Sequence, residues 1–403
     1  MRSAVVVGAG IGGLAVAGAL SRTGWQVTLL ERGDRLRGDS AAFVIWPNGV
    51  RALHALGLGG GLAAIASPTA ARGVRRPNGQ WLVQPDTGGG DEGDGEDACL
   101  VVHREDLHDT LVAGLGDSIE IRTGVCVRTV RVQHGALPAV GDGRQTWEGD
   151  LVVAADGVDS IVRRRLAPES TAVAAGCAAW RAVIPWYRAP KLPAAPGEGG
   201  ETLGHGHRFR YALLGERGSA GASSRGGAYW AATVPGAYRP EPPAAQLLLL
   251  RRWFADWHAP IPEILAATEP DDLIQHPIAE LRPMPRAFAF TSGPGGFVLV
   301  GDAAHAMSHH LGQGACLALE DAATLRALLL DAVPDQTLGQ ALEDYTGQRR
   351  PRVARIVRQS RRVGAVYAAN GNPLVRARNA AFGLTPRLLG RAGDMARQWR
   401  PPA

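Results

Sequence analysis

The segment Ala4-Val5-Val6-Val7 running into Gly8-Ala9-Gly10-Ile11-Gly12-Gly13 limits what this chain can fold into more than any other. A short β-branched run ending in GxGxxG reads as a buried strand that turns directly into a helix. Gly8 then permits the tight turn, Gly10 lets the backbone approach a pyrophosphate, and Gly13 lets the helix pack on the strand, with Gly12 inside the same turn. A helix over Leu14 to Arg22 points its first amides at those phosphates. A second strand, Gln26 to Leu30, ends at Glu31, a ribose acceptor at the expected spacing. Arg32 suits a 2′-phosphate, whereas its neighbour Glu31 repels one. This unit alone accommodates NAD and FAD equally. Because the apolar run passes straight into the glycines, with Arg22 soon after, it does not read as a secretory leader.

Two further apolar runs end in the same kind of junction. Leu151 to Ala155 leads into Asp156-Gly157-Val158-Asp159-Ser160 and Arg163, where Asp159 or Ser160 caps a helix and Asp156 needs a partner. Phe297 to Val300 leads into Gly301-Asp302-Ala303-Ala304-His305, then Gly312-Gln313-Gly314-Ala315 and a helix. A carboxylate at a strand end suits ribityl hydroxyls. Two glycines at a helix start let amides approach a flat ring, and the positive helix end favours negative charge there. NAD binding does not call for this third element, so the reading moves to flavin.

Between the second and third junctions the texture changes. Cys177 to Pro185, Arg208 to Leu214 and Ala228 to Val234 are strand-like runs without long helices between them, which predicts an inserted antiparallel sheet. Gly88 to Asp97 and Gly218 to Gly227 read as flexible loops, and Pro190 to Pro196 and Pro240 to Pro243 as connectors. From about Leu317 the chain reads as helical. The arginine-rich run Arg349 to Arg362 alternates with Val353, Ile356 and Val357, an amphipathic helix with a solvated arginine face rather than a nucleic-acid patch.

With 403 residues, the chain has room for about two domains. No apolar run approaches the roughly 18 residues of a membrane span. Cys99, Cys126, Cys177 and Cys316 show neither CxxC nor metal spacing, so they read as reduced thiols in a cytoplasmic protein. The net charge of +5, carried almost wholly by arginine, slightly favours anionic ligands.

Taken together, the three junctions resemble the fingerprints of group A flavoprotein monooxygenases, the para-hydroxybenzoate hydroxylase family. The resemblance extends to Trp46-Pro47-Asn48, His103-Arg104-Glu105-Asp106-Leu107, Ala179-Trp180-Arg181 and Tyr345 to Arg352. It implies an α/β fold: a Rossmann-like FAD-binding domain (1–70, 98–175 and 280–335), an antiparallel-sheet substrate domain (71–97 and 176–279) and a C-terminal helical segment (336–403). It implies that Glu31 holds the adenosine ribose, Arg104 reaches the phosphates and Asp302 binds the ribityl chain. Ala42 and Val127 touch FAD through their backbones, and Asp156 to Arg163 serves both FAD and NAD(P)H. The implied chemistry is reduction of FAD by NAD(P)H and transfer of oxygen from O2, through a flavin C4a-hydroperoxide, to an aromatic or conjugated small molecule. A dehydrogenase or cyclase on the same fold, without oxygen transfer, is the alternative.

One position departs from the family pattern: His309, followed by His310, stands where the family usually has proline. His309 either donates a proton or hydrogen bond near the flavin or merely fills the proline's space. A metal site from His305 and His309 lacks a third ligand. Arg181, Arg208, Arg210, Tyr211 and Tyr229 are substrate-contact candidates, and strand alternation lets only some of them face inward.

Overall fold

The computed structural model describes residues 2–38, 41–69, 73–84, 97–116, 118–133, 135–192, 199–216, 218, 225–236, 240–330, 337–384 and 395–402. Its centre is a six-stranded sheet in the order β18 (Ala289–Ser292), β19 (Gly295–Leu299), β12 (Leu151–Ala154), β1 (Ser3–Val7), β2 (Gln26–Leu30) and β8 (Ile119–Arg122). All neighbours are parallel except the β18–β19 hairpin. Val, Leu and Ala dominate β1, β12 and β19 because both faces of these strands are buried. One face is covered by α1 (Ile11–Arg22) and α8 (Gly314–Leu330), with α2 (Pro47–Ala55) and α3 (Arg104–Ala113) beside them. Two small sheets flank this unit: β3 (Ala42–Ile45), β7 (Leu100–His103) and β4 (Ala66–Pro68), and β11 (Thr146–Glu148), β10 (Ala139–Gly141) and β9 (Thr129–Arg131). The short α4 (Ile161–Leu166) follows β12, and α7 (Asp302–His305) follows β19.

The predicted inserted sheet has seven strands: β17 (Ile274–Arg282), β13 (Thr171–Ile184), β16 (Gly227–Pro235), β15 (Arg208–Gly215), β14 (Gly199–Leu203), β5 (Val74–Arg75) and β6 (Trp81–Val83). Only β14 and β5 run parallel. The first unit to be crossed by a strand is β13, which begins at Thr171, five residues before the expected boundary at 176. Period-two alternation splits the sheet's faces. Trp180, Phe209 and Trp230 pack under α5 (Pro243–Trp253) and α6 (Ile261–Ala267), with Phe209 and Trp230 stacked at 5.4 Å. The opposite face turns toward the six-stranded unit, where Val183, Ala212 and Leu214 meet Ala42 and Val101.

Two long helices complete the fold, α9 (Leu338–Tyr367) and α10 (Asn372–Leu384). The expected amphipathic helix carries a solvated arginine face at Arg355, Arg358 and Arg362, with Val353, Ile356 and Val357 buried, but the expectation is corrected at Arg349, Arg352 and Arg361. Arg349 is buried, its guanidinium bonded to Glu320 Oε2 at 2.5 Å and Asp321 Oδ1 at 2.7 Å. Arg352 also binds Glu320, and Arg361 binds Glu280. Burial is tolerated because each guanidinium meets a carboxylate, a pairing that apolar periodicity cannot reveal.

Other expectations are also corrected. Gly227 is a strand residue paired with Gly215, and Arg225 forms ion pairs with Glu105, Asp106 and Asp109, so the end of that glycine-rich stretch is anchored. Pro243 opens α5 at the first helical position, where a missing N–H costs nothing. Gly88 to Asp97 lies outside the described residues except for Asp97, which pairs with Arg51. In Pro190 to Pro196, residues 193–196 are likewise outside them.

The Arg349 network gives a stability prediction. Arg349→Met leaves Asp321 without its guanidinium and weakens the neutralisation of Glu320. Stability is expected to fall by about 3–5 kcal/mol, read as a lower urea midpoint; an unchanged midpoint would show that the network is not holding α8 to α9.

Candidate active site

The three strand-to-helix junctions converge because their strands are neighbours. Val7 is in register with Ala154, and Ala154 with Leu299, so Gly8, Ala155 and Val300 emerge side by side at one sheet edge. A Cβ on Gly8, whose φ is +100°, would press on the Ala155 carbonyl at 2.5 Å, and one on Gly13 would overlap the Gly8 carbonyl oxygen. Ala318 of α8 lies under both remaining turns: added Cβ atoms at Gly12 and Gly301 would sit 3.3 and 3.4 Å from its methyl. Arg163 locks the second junction to the third, donating to the carbonyls of Ala303 (3.3 Å), Ser170 (3.3 Å) and Val158 (2.5 Å). Its guanidinium is therefore buried and committed to backbone carbonyls.

The residues around this edge fit a dinucleotide flavin. Cβ atoms on Gly10 and Gly314 would meet nothing within 4 Å, so both glycines border open space at helix N-termini. Glu31 stands at the end of β2, accepting from the amides of Ala9 and Gly33 at 2.8 Å each, with Arg32 exposed beside it. Asp156 accepts from Ile161 N at 2.9 Å, its other oxygen has no partner, and burial raises its pKa. Asp302 is exposed while Ala303, Ala304 and His305 behind it are buried. Arg104 begins α3, its amide donating to Ala41 O at 2.7 Å next to Ala42, while Val127 lies partly buried on the loop before β9.

The Gly312-Gln313-Gly314 turn is held from behind. Gly312 takes the left-handed conformation (φ +64°). Asn48 Nδ2 donates to Gln313 Oε1 at 2.9 Å and to Glu320 Oε1 at 2.6 Å. His305 and the Gly301 amide both bond to Asp321 Oδ2, at 2.7 and 2.9 Å. Burial raises the Asp321 pKa, but His305 and Arg349 outweigh it and hold the carboxyl below its usual range. Cys316 accepts weakly from the Trp46 amide at 3.4 Å, and burial pushes its thiol up to about 12, so it is inert packing.

Across from this edge lies the inner face of the seven-stranded sheet. Alternation and register put Arg181, Val183, Arg208, Arg210, Tyr229, Ala231 and Thr233 on it. Tyr211 is excluded, because it points to the α5–α6 side with Phe209. Arg208 is only 4% exposed: its Nε donates to Glu201 Oε1 at 2.9 Å, and its guanidinium lies 4.6 Å from the Tyr367 ring centre. Burial raises the Glu201 pKa, yet Arg208 and Arg210 outweigh it and keep the carboxyl ionised. Arg210 reaches Glu201 only at 3.7 Å, and Arg181 has no hydrogen-bond or ion-pair partner among the described residues.

His309 closes the gap between the two faces. Its Nε2 lies 2.8 Å from Thr233 Oγ1. Either atom can donate in this contact, and the other ring nitrogen, Nδ1, is buried without a hydrogen-bond partner among the described residues. Burial, followed by His310 and the three arginines, drives its pKa well below the ordinary value, so His309 is neutral at pH 7. Burial and the neighbouring cations favour the neutral ring, so the geometry presents a hydrogen-bonding imidazole here. His310 stacks beside it at 4.8 Å and packs edge-on to Tyr367 at 6.0 Å. Sequence reasoning missed Glu201, Thr233, His310 and Tyr367, whose relevance exists only once strand register and α9 bring them together. No group of three metal-binding side chains occurs among the described residues, nor any helix long and apolar enough to cross a membrane.

The FAD binding domain family matches residues 1–195 and 263–360. Aurachin C monooxygenase/isomerase from Stigmatella aurantiaca is 31% identical over 368 residues, covering 90% of this chain and 88% of that protein. The 2-heptyl-3-hydroxy-4(1H)-quinolone synthase of Pseudomonas aeruginosa is 31% identical over 98% of this chain and 99% of its own length. Among solved structures, Klebsiella pneumoniae HpxO complexed with FAD and uric acid superposes with a TM-score of 0.80 at 25% identity, covering 98% of this chain and 97% of that one.

Two outcomes are expected from this geometry. Gly10 has ordinary φ (−72°) and open space beside it, so Gly10→Ala should melt like the flavin-free wild type yet lose most bound flavin during gel filtration. Gly13→Ala should instead lower the melting temperature, by strain on the order of 1–3 kcal/mol. Full flavin retention by Gly10→Ala would mean that the open space beside it is not the cofactor cradle. The second outcome concerns acid. Burial and Arg208 lower the His310 pKa to about 4 from 6.5. Unfolded chains therefore take up a proton that the folded protein refuses, so stability is complete above pH 6.5 and falls as pH drops toward 4. His310→Asn should flatten the decline in melting temperature between pH 7 and 5; an identical slope would place this histidine in solvent.

Proposed function

We propose, from the premise that this chain belongs to the FAD binding domain family and is a FAD-dependent monooxygenase, that it hydroxylates or epoxidises an electron-rich aromatic or conjugated ring carrying one acidic or carbonyl oxygen. The observation that carries this reading is the confrontation of two surfaces. One is a strand edge built for a dinucleotide flavin; the other is a sheet face bearing Arg181, Arg210 and Tyr229. When bound, FAD supplies reduction by NAD(P)H and the activation of O2. The chain's own residues then bind, orient and exclude water.

In this reading Gly8, Gly10, Gly12 and Gly13 admit the pyrophosphate and Glu31 takes the ribose hydroxyls, with Arg32 alongside. Arg104 serves the phosphates, Asp302 and Asp156 the ribityl side, and Ala42 and Val127 the backbone contacts. Gly312, Gln313 and Gly314 present amides to the ring, where the α8 N-terminus favours negative charge. The Arg181 and Arg210 guanidiniums hold the substrate oxygen as an anion, which enriches the ring toward an electrophilic oxygen atom. Arg208, expected as a substrate ligand, is assigned a supporting part because Glu201 holds its Nε and neutralises its charge and Tyr367 lies under its guanidinium, although its Nη1 has no hydrogen-bond partner among the described residues. Neutral His309 contributes a hydrogen bond rather than a proton. The domain limits set out from the sequence remain part of this reading, with β13 beginning the substrate layer at Thr171. Four free cysteines fit a cytoplasmic location.

Two of the relatives are named for a monooxygenase/isomerase and a hydroxyquinolone synthase. The second name describes a product whose hydroxyl adjoins a ring carbonyl, a substrate shape that the arginine face would accept. The test is NADH- or NADPH-driven turnover under ¹⁸O2, with small phenols, quinolones and purines screened for stimulated reductant consumption. One ¹⁸O atom in the product is expected. Turnover with unlabelled product would replace the reading with a dehydrogenase or cyclase.

A further inference from the structure

On β16 the inner-face residues run Tyr229, Ala231, Thr233, and Ala231 is the centre of a cross-strand row. It is in register with Arg181 on one side and with Arg210 on the other. Two neighbouring strand spacings place the backbones of the two arginines about 10 Å apart, on one face, with only a methyl group between them. Arg181, Arg210, Tyr229 and Ala231 are all partly exposed, whereas Thr233 and Arg208 on the same face are buried. The result is a slot: guanidinium walls, an alanine floor, Tyr229 at one end, and Thr233 under His309 at the other.

A third arginine, Arg208, borders this slot but does not open into it. Glu201 from β14 holds its Nε, and Tyr367 from α9 lies under its guanidinium. Glu201 also stands 3.7 Å from Arg210, near enough to reduce that arginine's field without forming a close pair. The charged groups in and around the slot are therefore the Arg181 and Arg210 guanidiniums facing it and the Arg208–Glu201 pair at its border, beside His309 and His310, whose pKa values burial lowers.

We infer that Glu201 is a specificity-determining positioning residue: by sequestering Arg208 it leaves Arg181 and Arg210 as a two-arginine slot for a ligand group carrying one negative charge, and so sets the cleft against dianionic rings. This deepens, and rests on, the substrate orientation proposed above. One carboxylate or phenolate fits between the two forks, each of which can donate two parallel N–H bonds. A second anionic group on the ring would find Arg208 already neutralised and Glu201 repelling it.

The experiment is calorimetric titration of the FAD-loaded protein with benzoate and with isophthalate, which differ by one carboxylate on the same ring. Wild type is expected to favour benzoate. Glu201→Gln releases Arg208 and removes the repulsion, so the isophthalate-to-benzoate affinity ratio should rise about tenfold or more. Glu201→Gln combined with Arg208→Gln removes both charges and should return the ratio to the wild-type value. Arg210→Gln should weaken benzoate by about tenfold. A ratio that does not move in Glu201→Gln overturns the inference, as does a ratio that stays high in the double variant. If Glu201→Gln does not fold, an unchanged benzoate affinity in Arg210→Gln, or an altered ratio in the double variant, overturns it. Failure of wild type to bind either carboxylate also refutes the slot. Loss of ¹⁸O transfer with the ratio switch intact would instead count against the oxygenase reading alone.

Discussion

Two adjacent buried carboxylates on α8, Glu320 and Asp321, tie together four separate parts of the chain. Asp321 takes the Gly301 amide and His305 on one oxygen and Arg349 on the other. Glu320 takes Arg349, Arg352 and Asn48, and Asn48 in turn holds Gln313. The turn after β19, the glycine turn before α8, the start of α2 and the long helix α9 thus share one buried electrostatic knot. Neither half is stable alone, since uncompensated buried charge is costly. The knot fixes the back of the cofactor edge so that the front can stay open.

The front is shaped by glycine, in two different ways. At Gly8 and Gly13 the backbone comes so close that any side chain collides with protein. At Gly10 and Gly314, both at helix N-termini, a side chain would collide with nothing, which leaves space there for a ligand to approach the backbone. That contrast separates glycines that build the fold from those that leave room for a ligand.

Much of this was legible in the sequence, where the signal is local. The glycine turn, Glu31 at the next strand's end and the Gly301-Asp302 junction are short-range patterns whose geometry is set by neighbouring residues. The seven-stranded sheet was legible as texture. What was not legible depends on register. Tyr211 and Arg210 are adjacent in sequence yet face opposite layers, and nothing before the pairing of β15 with β16 tells which is which. Glu201 is an unremarkable carboxylate until β14 sets it beside Arg208. Arg349 looks like a surface arginine because its partners lie about 30 residues away on another helix.

The strand order has a consequence for how the chain reaches this state. β1 lies beside β12, and β12 beside β19, so three neighbours in one sheet come from the beginning, the middle and the last third of the chain. Until residue 299 has left the ribosome, the edge of β12 is an unpaired, wholly apolar strand, and the layer between it and β19 is being synthesised in the meantime. Assembly of the central sheet therefore completes late and is rich in distant pairings, which makes it slow. The nascent polypeptide carries a sticky, half-built sheet for most of its synthesis, the circumstance in which chaperone custody matters most.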